Sequence, residues 1–174
     1  MRKFGVILLC LVLCSCTNKY QLPDKWKPLE TVIDRPGYGE DDWWTTTLGS
    51  SVFVADLDAW LDFKKPGGSE FEATMRHERV HAIRQEKIGL VKYVWKYLTD
   101  QKFRWHEEQL GWYVGLRTKD EYGVKWDIKS VVDSLRNYWP SLGSRPDIQA
   151  WVTAVKNKKW RPEPGELPKE YEDL

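Results

Sequence analysis

The run His77-Glu78-Arg79-Val80-His81 holds the side chains whose types and spacing could most directly do chemistry. On a helix, residues four apart lie one above the other on the same face, so both imidazoles reach a single ion. Glu78 stands about 100° around from His77, close enough to act on a water held by that ion. Zinc bound in this way lowers the pKa of its water to about 7, and the carboxylate then takes the proton as general base. The alternative is a pair of core histidines hydrogen-bonded to backbone, with Glu78 in a salt bridge. Burying the three groups unpaired would cost several kcal/mol, so they need partners, and a metal supplies them.

The chemistry requires a helix, and the flanking residues predict one from Ser69 to Ile88. Pro66-Gly67-Gly68 breaks the chain before it, neither Gly nor Pro interrupts residues 70–88, and Gly89 stands where a helix ends in a left-handed residue. Ser69 with Glu72 three residues later reads as a capping box. On a helical wheel, Phe71, Thr74, Met75, Ala82 and Ile88 share an arc with His77, Glu78 and His81, while Arg76, Arg79, Glu86 and Lys87 lie away from it.

A catalytic zinc takes a third protein ligand and keeps an open position. The extended metzincin pattern would need Gly at 84 and His at 87, where this chain has Arg84 and Lys87. A carboxylate from a later helix is the other route. Glu108 is followed by Gly111 and Gly115 at i+3 and i+7, small residues that let its helix approach another backbone closely. Glu107, directed toward Phe103 and Val114, is the fallback, and His106, on a different side, ranks third. An ordinary charged surface pair is the plain alternative for Glu107 and Glu108.

HERVH followed by a Glu on a downstream helix resembles the gluzincin group of zinc metallopeptidases, over roughly residues 51–116. The resemblance implies one zinc ion held by His77, His81 and Glu108, with Glu78 as general base. It also implies a strand, Ser51-Val52-Phe53-Val54, offered as an edge to extended substrate; an ordinary two-stranded cap on the core is the competing reading. The thermolysin-type Asn-Glu-x-x-Ser-Asp segment is absent, and Trp112 stands where some membrane families place Asp. Tyr97, Tyr113 and His106 are the candidates for oxyanion stabilisation.

Residues 1–15 read as a signal peptide: a basic Met1-Arg2-Lys3, then an apolar run from Phe4 to Leu13. Leu13-Cys14-Ser15-Cys16 resembles a bacterial lipobox, which implies lipidation of Cys16 and a place on the outer membrane facing the periplasm. A cleaved secretory signal or plain membrane anchor is the alternative. The three cysteines, Cys10, Cys14 and Cys16, all fall in this segment, so the rest of the chain has no thiol for a disulfide, a nucleophile or a metal.

The 27 Lys and Arg nearly balance the 26 Asp and Glu, which excludes a dedicated nucleic-acid binder. Residues 16–42, rich in Pro and Gly, read as an extended tether. Residues 43–160 form one zincin-like domain, mainly α with a small β-hairpin turning at Gly49-Ser50, its helices packed around the HExxH helix. Helical spacing recurs at 90–98, from about Asp100 to Thr118, at 127–138, and from a cap at Asp147 to Lys156, with a break at 140–146. Of the eleven Trp, Trp95, Trp105, Trp112, Trp139 and Trp151 fit core positions, and Trp43-Trp44 is the pair suited to surface binding. Residues 161–174, with three prolines and five acidic residues, read as an irregular tail.

The leading expectation is a membrane-anchored zinc metallopeptidase acting on peptide or protein in the cell envelope. The competing one is a non-catalytic envelope lipoprotein with a structural or vestigial metal site that binds a partner. A cell-wall peptidase or amidase, phage-encoded and serving lysis or exclusion, is a third.

Overall fold

Alternation of side chains builds a small sheet, and long uninterrupted runs build the helices around it. In the computed structural model, residues 18–34, 45–138 and 145–174 are described. The signal segment, Cys16, Trp43, Trp44, Trp139 and the break at 140–144 lie outside the described residues.

Four strands pair in the order β1-β2-β4-β3: β1 (Lys19–Gln21), β2 (Thr31–Asp34), β3 (Thr46–Leu48) and β4 (Ser51–Val54). The hairpin turns at Gly49, whose φ of 59° is one that glycine adopts without strain. Val52 and Val54 are buried on one face while Ser51 and Phe53 are half-buried on the other, the period of two expected of a strand. β1 and β2 run antiparallel, and β2 joins β4 in parallel with Val32 opposite Val52. Two expectations change here. Residues 19–34 are not only a tether, because they supply half of the sheet. Ser51–Val54 is interior, flanked by β2 and β3, so its backbone bonding is used on both sides. The edge strands are β1 and β3, and β3 is the one next to β4.

Among the described residues six helices follow: α1 (Leu57–Lys64), α2 (Ser69–Ile88), α3 (Leu90–Thr99), α4 (Gln101–Glu121), α5 (Ile128–Tyr138) and α6 (Arg145–Lys156). With the small mixed sheet they make the fold mainly α with a minor β part. Asp56 caps α1 by accepting from the Ala59 amide, and Asp100 caps α4 by accepting from Lys102 and Phe103. The capping box at Ser69 does not form. Gly68 is the N-cap of α2, and Glu72 pairs with Lys25 Nζ at 2.7 Å instead. Asp147 lies inside the first turn of α6 rather than at its cap.

α2 separates two hydrophobic clusters. Phe71, Met75 and Ala82 face the sheet side, with Val32, Val52, Val54, Trp26 and Trp60. Val80 faces the other, with Leu110, Val114, Leu135, Val152 and Trp151. The helix is therefore buried on two sides, where the wheel anticipated one apolar arc. The core also draws on residues outside 43–160: Leu22, Trp26, Leu29 and Val32 before it, Leu167 and Tyr171 after it. Residues 161–174 are mostly irregular but packed down, with Tyr113 Oη donating to the Leu174 carbonyl at 2.7 Å.

Candidate metal centre

The site is assembled where α2 and α4 approach each other closely. A Cβ built on Gly111 would lie 2.7 Å from both Nε2 and Cδ2 of His77, and one on Gly115 would lie 3.3 Å from the Ala73 carbonyl. The imidazole of His77 occupies the space that a side chain at 111 would fill. The two small residues thus serve the close approach that their spacing implied.

His77 and His81 turn toward each other, with their Nε2 atoms 3.0 Å apart. Glu108 reaches across from α4, placing Oε2 3.7 Å from His77 Nε2 and Oε1 3.7 Å from His81 Nε2. The three donors lie within 4.8 Å of one another, the one such group among the described residues. All are buried or nearly so. Burial pushes the Glu108 carboxyl up to about 8; the Tyr97 hydrogen bond opposes this, while the nearby charges of Glu78 and Glu107 add to it. Burial brings His81 down to about 3, with Arg84 contributing, and holds His77 well below its usual value, with His81 and Lys64 contributing. At neutral pH the His-to-Glu contacts therefore join uncharged groups and are not ion pairs.

That arrangement fits a divalent cation. Glu108 Oε2 is buried without a hydrogen-bond partner, which costs roughly 1–3 kcal/mol or more unless something satisfies it. Two imidazole nitrogens facing each other at 3.0 Å likewise need a proton or a cation between their lone pairs. Two nitrogens and a carboxylate oxygen form a donor set that suits first-row divalent metals.

Glu78 is buried beside this group. Thr47 Oγ1 donates to its Oε2 at 2.7 Å, and burial raises the carboxyl to about 7 against the opposing effects of Thr47 and Lys64. Gln85 braces the same strand by donating to the Thr47 carbonyl and accepting from the Gly49 amide.

Surrounding side chains aim the ligands. His81 Nδ1 meets Tyr93 Oη at 3.2 Å, and Tyr97 Oη donates to Glu108 Oε1 at 2.5 Å. If Nε2 of His81 faces a cation, Nδ1 carries the proton and donates to Tyr93, whose own proton then goes to Glu107. Arg84 holds Glu107 with two bonds of 2.6 Å. Glu107, the fallback ligand, is thus fully buried and committed to Arg84. His106 is bonded to Glu166 at 2.8 Å and Tyr113 to Leu174, away from the donors. Of the three oxyanion candidates only Tyr97 touches a member of the cluster.

The sequence analysis assigns no role to Thr47 or Tyr93, and it names Arg84 only as the residue that breaks the metzincin pattern. Tyr93 and Tyr97, four apart on the inward face of α3, were the signal available for that helix. Its strongly apolar residues point the other way: Trp95, placed in the core by its helical spacing, is exposed along with Val91 and Leu98. Trp151 is buried, and Trp112 packs edge-on against His77 with ring centroids 5.9 Å apart. No protein-family model, curated protein or solved structure matches the chain.

Three outcomes are expected. Gly111→Ala, which drives a methyl group into the His77 ring, should weaken binding of an added divalent cation such as zinc by about tenfold or more, the size of effect seen when the groups that orient a ligand are disturbed. Tyr93→Phe should weaken it by about 10–100-fold; competition with a chromophoric chelator measures both. The third concerns pH. The folded, metal-free protein keeps protons on Glu78 and Glu108 above the ordinary carboxyl value of 4.5, up to about 7 and about 8. Its stability contribution from these groups therefore falls as pH rises through that window. A bound divalent cation displaces the Glu108 proton, so the thermal shift caused by added zinc should be larger at about pH 8 than at about pH 5.5. Equal shifts in calorimetry would contradict the assignment.

Proposed function

We propose that the chain is a zinc-dependent metallopeptidase of the gluzincin type, held at the envelope membrane through Cys16. The observation that carries this reading is the buried convergence of two imidazole Nε2 atoms on the Glu108 carboxyl group, one oxygen of which has no hydrogen-bond partner, with Glu78 beside them on α2. His77, His81 and Glu108 would hold zinc, which when bound supplies a Lewis acid that makes water acidic near neutrality.

Glu78 takes the proton from the attacking water and returns it to the departing amine. Its carboxyl, raised to about 7, exchanges a proton readily at neutral pH. Thr47 fixes the carboxylate by Oε2, which leaves Oε1 to handle the proton. Tyr97 and Tyr93 hold Glu108 and His81 in place and keep them from rotating as charge develops. The substrate is a peptide or protein of the envelope.

A specific feature favours the second reading, a metal held for structure in a protein that works by binding a partner: Glu108 is 1% exposed and Glu78 4%. One variant separates the two. Under the peptidase reading, Glu78→Gln lowers hydrolysis of a quenched-fluorescence peptide library by about 10²–10⁴-fold and leaves zinc content and melting temperature unchanged. Zinc-restorable hydrolysis that is equal in wild type and variant would exclude Glu78 as the base, and no zinc-dependent hydrolysis in either would favour the structural metal.

A further inference from the structure

α3 turns two very different faces to its surroundings. Tyr93, 3% exposed, and Tyr97 pack inward against the metal-site cluster. Outward, Val91 is 84% exposed, Trp95 68%, Leu90 42% and Leu98 41%. Val91, Trp95 and Leu98 are spaced i, i+4, i+7, so they form one stripe along a helix of ten residues. Four of the six large hydrophobic side chains exposed among the described residues sit on this one helix. Single exposed apolar residues need no explanation, but a contiguous stripe marks a contact surface.

The charges around the stripe select the kind of surface. On α3 itself Lys92 and Lys96 follow Val91 and Trp95, with no acidic residue on the helix. Lys87 before it donates to the Gly165 carbonyl, and the acidic residues nearest in sequence are Glu86 and Asp100, of which Asp100 caps α4 with its carboxylate. An apolar stripe with Trp at its centre, bordered by lysines, is the composition of a helix lying in a lipid interface: hydrocarbon takes the Val and Leu, the headgroup layer takes the indole, and anionic phosphates take the ammonium groups. Ten residues make about 15 Å of helix, half the thickness of a bilayer core, so such a helix lies on the membrane and does not cross it. No helix among the described residues is long and apolar enough to cross.

The chain's own N-terminal segment bears on the same occupant. The apolar run Phe4–Leu13 and the lipobox-like Cys16 precede β1, which starts at Lys19. Three residues reach at most about 10 Å when extended, so an acylated Cys16 would hold the sheet close against the bilayer. A single acyl chain binds membranes marginally, and stable attachment takes a second contact.

We propose that the outward face of α3, through Leu90, Val91, Trp95 and Leu98, is a membrane-docking surface that inserts into the interface of an anionic phospholipid bilayer. This inference does not depend on the metal. It has a consequence for the site all the same, because the helix that meets the lipid is the one whose inner tyrosines hold His81 and Glu108.

The test uses the full chain reconstituted in vesicles of brominated phosphatidylcholine with about one third phosphatidylglycerol, a fraction at which each lysine near the surface strengthens binding by about fivefold. Bromine quenches only those tryptophans at the bilayer. Quenching should be strong in wild type and fall by half or more in Trp95→Phe, while both remain membrane-bound and share one circular dichroism spectrum. A Lys92→Glu, Lys96→Glu double variant should show the same loss, restored by no increase in neutral lipid. Equal quenching in wild type and Trp95→Phe would overturn the proposal. So would a stable dimer in detergent that Val91→Glu dissolves, since a second copy would then be the occupant of the stripe.

Discussion

The closeness of α2 and α4 is the constraint on which the rest of the site depends. Ordinary helices pack 8–10 Å apart with side chains between them. Here Gly111 and Gly115 remove the side chains from one partner, and the His77 ring takes the room that results. This brings a carboxyl from α4 to within 3.7 Å of two imidazoles on α2. Burial at this seam pushes the acid and both bases toward their uncharged forms. A fold that gathers such groups and leaves one oxygen unsatisfied stands to gain a great deal from a divalent cation.

Burial of this kind needs support, and neighbouring elements supply it. α3 contributes Tyr93 and Tyr97, each bonded to a different member of the donor group. β3 contributes Thr47 to Glu78. The Arg84–Glu107 pair lies behind them, and Arg84 also donates to the Glu166 carbonyl in the C-terminal segment. An ion pair with one partner fully buried and the other mostly so adds little net stability, because desolvation offsets the attraction, but it restricts how the surrounding groups can be arranged. Here it fixes where the Tyr93 hydroxyl can send its proton.

How much of this was readable depended on whether the deciding signal was local. The bounds of α2 were, because Gly68 and Gly89 punctuate a run free of breakers. Which of the two carboxyls faces the imidazoles was legible too, since glycines three and seven residues after Glu108 mark the face that a neighbouring backbone approaches. The strands at 19–21 and 31–34 were not. They are short, they sit among prolines, and β2 pairs in parallel with a segment 20 residues on that no nearby pattern announces. The orientation of α3 was misread for a different reason. Periodicity counts Val, Trp and Leu as inward-facing, but that helix buries its tyrosines and leaves the most apolar residues outside. Thr47 could not be singled out either, because its role comes from the hairpin lying against α2, a tertiary fact.

The division of the core into two clusters, with α2 between them, has an evolutionary corollary. Every atom that would bind the ion comes from the α2–α4 seam, whereas the hydroxyl that orients Glu78 comes from the sheet on the opposite side of α2. Loading and turnover, under the proposed chemistry, therefore draw on separate parts of the molecule. Under that chemistry, losing the Thr47 hydroxyl would leave Glu78 unoriented while the three donors of the α2–α4 seam stayed together. Under the same chemistry, a descendant of such a fold would lose turnover more easily than its donor group, and would pass into a pseudoenzyme that keeps the donor geometry.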